Sequence, residues 1–312
     1  MQAFERYKNM NIGHFARSDI KRRYSVTADV LSFRRCPRLY AAEAEKGFTP
    51  AQPSQRYVGS VIHQVLDRAH LHYSGRLDPR TTHQIPSDKD IEEYFKDVDK
   101  ALRAHGVRPF NPDLSQYVLG LLQRFNQIEG ASLYPRVKDT EHRLQSDRER
   151  YVLYGVVDVL VSPSSSKQDD KSVEIWDYKG SRRPKESTNF GRKILEDYKF
   201  QMLVYSSLFN LRNGYYPTKG VIYFLGELRD QTLTSSPPSA RMEVPLDTDE
   251  MNRAVQSFDD TVSDIDEARE TYRWRPPEDG SSTAGKETCD ACDIRVSCTS
   301  EHYQPRFPGA HS

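Results

Sequence analysis

Two hydrophobic periods organise this chain. Tyr151-Val-Leu-Tyr-Gly-Val-Val-Asp-Val-Leu-Val161 and Ser172-Val-Glu-Ile-Trp-Asp-Tyr-Lys-Gly180 have the length and the β-branched and aromatic content of strands. The polar stretch Pro163 to Lys171 between them reads as a solvated turn, so the pair predicts a β-hairpin. Elsewhere the period is helical. Ile62, Val65, Leu66 and Ala69 recur at helix spacing after Gly59, which marks the expected helix start. Ile91 to Phe95 and Tyr117 to Leu122 form buried stripes, Tyr198 to Phe209 predicts a further helix, and Met251 to Tyr272 an acidic one. Gly220 to Leu225 and Met242 to Pro245 read as strands around a flexible loop at Asp230 to Ser239. Five parts follow: a loose polar N-terminus at 1–23, N-terminal helices at 24–73, a helical insert at 74–136, an α/β core with the acidic helix at 137–272, and a linker with a cysteine tail at 273–312. The linker is the Pro/Gly/Ser-rich stretch Pro276 to Gly285, and no internal repeat is present.

Composition narrows the class. A chain of 312 residues buries a substantial core in one elaborated domain or two small ones. Its 45 Lys and Arg balance 45 Asp and Glu, so the whole molecule has no bulk attraction to nucleic acid. Distribution matters more than the sum. Lys179, Arg182, Arg183, Lys185, Arg192, Lys193 and Lys199 form a basic run, which Arg34, Arg35 and Arg38 extend, whereas Asp247 to Glu270 is dominated by carboxylates. Such a run describes an ordinary solvated face as well as a phosphate-binding one, and Arg182, Arg183 and Lys185 are its candidate DNA contacts. The polar opening residues and the lack of a long apolar stretch point away from a signal peptide or membrane span and toward the cytoplasm.

The candidate chemistry lies on the predicted hairpin. Asp177 and Lys179, two apart, share a strand face, Tyr178 faces the opposite layer, and Asp158 on the partner strand can meet them. Two carboxylates suit a hard divalent cation, and a lysine can hold an attacking water or offset phosphate charge. Asp-x-Lys alone is common and equally describes an edge hairpin with a solvated pair. His63 offers an imidazole acceptable to manganese, although a lone histidine is more often packed or exposed, the reading given to His70 and His72. Gln201 and Tyr205, four apart, share a helix face and can order a water or phosphate; a core helix with one polar wedge is the plainer account. Cys36 stands in Leu31-Ser-Phe-Arg-Arg-Cys-Pro-Arg-Leu-Tyr40, and Cys289, Cys292 and Cys298 form C-x2-C-x5-C. Four thiolates fit a tetrahedral zinc or a [4Fe–4S] cluster, with spacing alone slightly favouring zinc.

Taken in order, these pieces resemble the RecB-like, iron–sulfur branch of the PD-(D/E)XK nuclease superfamily, the type of the CRISPR-associated Cas-four exonucleases, the AddB nuclease and exonuclease five. Leu31 to Tyr40 resembles its opening cysteine motif, Gly59-Ser-Val-Ile-His63 its histidine motif, and Gly155-Val-Val-Asp158 with Trp176-Asp-Tyr-Lys-Gly180 its active-site strands. Gln201-Met-Leu-Val-Tyr205 is similar to its Q-x3-Y helix, and the last three cysteines to its closing trio. The second acidic position, often Glu in the wider superfamily, is Asp177 here.

The resemblance implies a restriction-endonuclease-like α/β core, a mixed sheet flanked by helices, with a helical insert and a cysteine-rich tail closing on the N-terminal helix. It implies His63, Asp158, Asp177 and the Tyr178 carbonyl as ligands of Mg²⁺ or Mn²⁺, and Lys179 as the catalytic lysine. Gln201 and Tyr205 become accessory site residues, and Cys36, Cys289, Cys292 and Cys298 ligands of a [4Fe–4S] cluster. Glu141, before the first predicted strand, lies where related proteins often carry a glutamate; a solvated strand-edge residue explains it equally well. The expected activity is metal-assisted hydrolysis of DNA, single-stranded and exonucleolytic, in CRISPR spacer acquisition or recombination repair, with a protein partner in a DNA-processing complex. The alternative is a catalytically weak DNA-binding or adaptor subunit with the same fold.

Overall fold

The computed structural model describes residues 21–48, 54–163, 172–274, 286–290, 292–295 and 298. The tail before residue 21, the hairpin loop at 164–171 and the linker at 276–285 fall outside the described residues. In chain order the main elements are β1 (Arg22–Ser25), α1 (Ser54–Tyr73), α2 (Asp88–Ala104), α3 (Pro112–Leu133), β2 (Val137–Asp147), β3 (Tyr151–Val161), β4 (Glu174–Lys179), α4 (Asn189–Asn213), β5 (Lys219–Phe224), β6 (Arg241–Val244) and α5 (Thr248–Thr271). Short polar side chains set several of these boundaries. Ser87 and Asp90 form a reciprocal capping box on α2, Asn111 caps α3, Thr188 caps α4 and Asp247 caps α5.

Among the described residues six strands make one mixed sheet, and β3 is its hinge. Along one edge β3 pairs antiparallel with β2, from Asp139↔Leu160 to Asp147↔Val152. Its other edge is shared. Strand β1 runs parallel to its start, ending at Ser25↔Tyr154, and β4 runs antiparallel to its end, beginning at Val159↔Trp176. Gly155 to Asp158 therefore have no strand partner on that edge. The sheet continues with β5 parallel to β4 and β6 antiparallel to β5. Helices cover both faces. Leu153, Val157, Ile175, Ile222 and Phe224 pack beneath α4 and α5, and Val159, Val161, Trp176, Tyr178, Val221 and Tyr223 beneath α1, α2 and α3. The mixed sheet flanked by helices is the architecture that the sequence implies.

Several elements depart from the sequence pattern. Helix α1 is already formed at Ser54, so Gly59 lies inside it rather than at its start. Tyr57, fully buried, extends the helix by donating its hydroxyl to Asp99 at 2.6 Å. The segment Asp139 to Leu144 lies within β2 instead of preceding the first strand, and Arg22 and Arg23, grouped by polarity with the tail, open β1. Main-chain pairing with β3 holds both short-patterned strands; only Leu144 of β2 is buried. The N-terminal helical stretch is interrupted at Cys36, which is extended (φ −161°, ψ 103°) because Pro37 disfavours a helical residue before it. Among the described residues no helix is long and apolar enough to cross a membrane.

His70 and His72 are buried, 3% and 6% exposed, as members of the packed helix α1. His70 Nε2 lies 3.1 Å from the Tyr178 hydroxyl, and its Nδ1 has no hydrogen-bond partner. Burial pulls its pKa down to about 3. The folded imidazole thus stays neutral where the unfolded one, titrating near pH 6.5, takes a proton. Stability that depends on the neutral ring is complete above about pH 6.5 and is lost as pH falls, by up to about 1.4 kcal/mol per unit. Urea unfolding at pH 7.5 and 5.5 is expected to show this loss in the wild type and a smaller one in His70→Phe; equal slopes would rule the assignment out.

Candidate active site

The site forms where β3 and β4 separate. Pairing stops at Val159↔Trp176, which leaves the Tyr178 N–H without a strand acceptor, and the Asp158 carboxylate takes it at 2.7 Å through Oδ2. This bond turns Asp158 toward β4. Asp177 and Lys179 share the face opposite Tyr178, as alternation requires, and the Lys179 ammonium lies 2.6 Å from Asp177 Oδ2. The other carboxylate oxygen of Asp177 accepts from Gln201 Nε2 at 2.8 Å, and Lys179 Nζ lies 3.4 Å from Gln201 Oε1. Asp177 is only 4% exposed. Burial pushes its carboxyl pKa up, with the Asp158 charge adding and Lys179 opposing. Lys179 is pushed up as well: burial disfavours its charge, and contact with Asp177 overcomes that.

Helix α1 delivers the histidine. A Cβ at Gly180 would stand 2.6 Å from Val58 Cγ1 and 2.7 Å from Ile62 Cδ1, so glycine at the end of β4 allows the helix its close approach. His63 Nδ1 consequently reaches Asp158 Oδ1 at 3.1 Å. Burial works against its charge, yet Asp158 and then Asp177 raise its pKa to about 9. Glu141 completes the cluster. It occupies the β2 position opposite Asp158 and adopts a left-handed φ of 48° between regularly paired Thr140 and His142. Burial and the Asp158 charge raise its carboxyl pKa. One ligand atom from each of His63, Glu141 and Asp158 lies within 4.8 Å of the others.

Helix α4 supplies the remaining wall. Gln201, 3% exposed, bridges Asp177 and Lys179, while the Tyr205 hydroxyl lies near Gln201 and the backbone of Val156 on the unpaired edge of β3. The Tyr205 ring occupies the space that a side chain at position 155 would fill. Tyr198, from the same helix, faces Lys179 with its ring centroid 4.8 Å from Nζ. Sequence spacing identified Gln201 and Tyr205 but assigned nothing to Tyr198. Its signal is the i+3 relation to Gln201, which puts both over Lys179.

The basic candidates divide. Arg183 is tied inward: its N–H donates to Glu227, and its guanidinium donates to Glu186 and to the Arg241 carbonyl. Arg182 lies 3.8 Å from Glu227 and, like Lys185, is exposed. Arg34 does not extend a surface patch, because its guanidinium bonds Ser257 and Thr261 of α5 and lies over the Phe200 ring. The four cysteines are half-buried free thiols. Burial and then neighbouring thiols raise the pKa of Cys289, and Cys36 and Cys298 are both among those neighbours. Arg38 Nη1 reaches Cys298 Sγ at 3.5 Å, joining the N-terminal helical stretch to the far end of the chain.

Comparison with known proteins places this geometry. Residues 24–299 match the sequence model of the PD-(D/E)XK nuclease superfamily, and the chain belongs to that superfamily. A crystal structure titled "Putative exonuclease" from Eubacterium rectale has a similar fold, with a TM-score of 0.51 at 11% identity over 94% of each chain. No curated protein sequence matches the chain.

The contact between Gly155 and Tyr205 is open to a direct check. An alanine methyl at 155 would sit 2.5 Å from Cε1 of the buried Tyr205 ring. Gly155→Ala is expected to lower stability by about 1–3 kcal/mol in urea unfolding. The Gly155→Ala/Tyr205→Ala pair should then show a favourable coupling, and additive losses would contradict the clash.

Proposed function

We propose that this chain is a Mg²⁺- or Mn²⁺-dependent DNA nuclease of the RecB-like iron–sulfur branch, an exonuclease hydrolysing phosphodiester bonds in single strands. One observation carries the reading: Asp158, Asp177, Lys179 and His63, drawn from β3, β4 and α1, converge at the unpaired edge of β3. Carboxylates and an imidazole are a donor set that suits a hard or borderline divalent cation. His63, Asp158, Asp177 and the Tyr178 carbonyl would hold it. When bound, the cation supplies a water acidic enough to attack at neutral pH and positive charge for the scissile phosphate.

The chain's own groups do the rest. Lys179, kept protonated by Asp177, donates hydrogen bonds toward the attacking water or a phosphate oxygen. Gln201 fixes both partners of that ion pair, and Tyr205 fixes Gln201. The Tyr198 ring holds the ammonium over one face of the site, which limits its swing toward solvent. Exposed Arg182 and Lys185 lie just beyond β4, where a phosphodiester backbone leaving the site would meet positive charge.

Cys36, Cys289, Cys292 and Cys298 are proposed to hold a [4Fe–4S] cluster that ties the tail at 273–312 to the N-terminal helices. Four thiols, with Cys36 and Cys298 both near Cys289, are a donor set that suits a single zinc or the cluster, and the resemblance to the iron–sulfur branch supports the cluster.

Labelled single-stranded DNA is expected to be degraded by the purified chain with Mn²⁺ or Mg²⁺ and to survive in excess chelator. Asp177→Ala and Lys179→Ala should each slow cleavage by about 10²-fold or more. DNA bound without cleavage under either metal would instead favour an adaptor. Anaerobically purified protein is expected to contain iron and acid-labile sulfide and to absorb broadly near about 400 nm. Stoichiometric zinc in a colourless protein would refute the cluster.

A further inference from the structure

We infer that Phe190 is a stacking platform for unpaired nucleobases, and that with Arg182 and Lys185 it forms the track along which a single DNA strand meets the site. The inference rests on the nuclease reading for the strand's destination, and it deepens that reading by assigning the preference for single strands to one aromatic ring.

Helix periodicity sets the ring on the face that matters. Phe190 precedes Gln201 by eleven residues, about three turns, so both lie on one stripe of α4, which Tyr198 and Tyr205 widen. Contacts along that stripe give its direction. Tyr198 faces Lys179, Gln201 bonds to Asp177, and Met202 stands over Gly220, the strand partner of Ile175, so α4 runs antiparallel to β4. The first turn of α4 therefore extends past the end of β4, with Phe190 about 12 Å along the axis from Tyr198. There the Phe190 ring is 43% exposed, whereas Gln201 and Tyr205 on the same stripe are buried. Single exposed apolar residues are ordinary on protein surfaces. This one continues the stripe of the site and sits next to exposed cations.

The segment joining β4 to α4 supplies those cations on a clamped backbone. The Gly226 N–H donates to the Ser181 carbonyl at 3.2 Å, and a Cβ at 226 would stand 2.6 Å from the Arg182 nitrogen, so the turn after β5 lies directly against this segment. The Arg183 N–H donates to Glu227 at 3.0 Å, and the Thr188 N–H to the Lys185 carbonyl at 3.2 Å. Lys185 is exposed, and the Arg182 side chain, 3.8 Å from Glu227, remains 55% exposed. Cations held in place beside an aromatic face suit a single strand, because phosphates follow the charge while each unpaired base offers a π-face. A duplex keeps its bases stacked on one another and presents such a face only at its ends.

The test uses the full chain in excess chelator, where binding is read without cutting, and fluorescein-labelled oligothymidylate as the probe. Anisotropy titrations across a salt series are expected to show Phe190→Ala binding about tenfold more weakly, with the slope of log K against log salt unchanged. Arg182→Ala and Lys185→Ala should each flatten that slope by about 0.7. A base-free sugar–phosphate oligomer of equal length should bind the wild type and Phe190→Ala alike, which separates lost stacking from a damaged fold. Phe190→Trp should bind oligothymidylate as the wild type does. Wild-type affinity of Phe190→Ala for oligothymidylate would overturn the proposal, as would an equal loss on the base-free oligomer. A concentration-dependent dimer that Phe190→Ala abolishes would give the ring to a second copy of the chain and overturn it as well. Phe190-dependent binding by a chain that cuts no DNA would sustain this inference and defeat the nuclease reading; Phe190-independent binding by an active nuclease would do the reverse.

Discussion

The candidate site depends on a single hydrogen bond, from the Tyr178 N–H to the Asp158 carboxylate. A sheet normally satisfies each buried main-chain donor with a carbonyl across the ladder. Here β4 parts from β3 after three pairs, and a side chain takes over the carbonyl's task. The exchange has two results. It lets the strands diverge without leaving an orphaned donor, which would cost about 1–3 kcal/mol. It also fixes an anionic group in the opening, where Asp177, Lys179 and His63 are assembled around it.

Burial gives those charges their character. Asp177 and Lys179 lie under the wall formed by α4, and each charge is held by the other and by Gln201. Removing one partner of such a pair leaves an uncompensated buried charge. Tyr205 supports Gln201, and Gly155 makes room for Tyr205. On the other side Asp158, Glu141 and His63 are less enclosed. The enclosed pair is arranged to keep a proton on Lys179.

The hairpin, the helix carrying His63 and the helix carrying Gln201 and Tyr205 were legible because burial imposed a period on them. Ile62, Val65, Leu66 and Ala69 all lie fully buried at the spacing that announced them. Strands β1 and β2 were not legible. Arg22 and Arg23 are exposed, and β2 buries only Leu144, so main-chain pairing holds them and leaves no apolar alternation to read. The positive φ of Glu141, opposite Asp158, was not legible either, because no local pattern reports it. Charge alone did not show that the guanidiniums of Arg34 and Arg183 bond to neighbouring hydroxyls, carbonyls and a carboxylate. The start of α1 was misplaced because Gly59 outweighed Tyr57, whose buried phenol reaches across to α2.

That last contact bears on the choice of the proposed ion. His63 follows directly on Ile62 and precedes Val65 and Leu66, three residues without exposed surface, on a rod pinned to α2 by Tyr57 and pressed against Gly180 through Val58 and Ile62. An imidazole mounted this way has little freedom to follow an ion inward or outward. Discrimination between cations of different radius would then originate in the packing of α1 against its neighbours, residues that never touch the ion. With the proposed ion at His63, exchanging core aliphatics would retune the preferred metal while the proposed ligands stay the same.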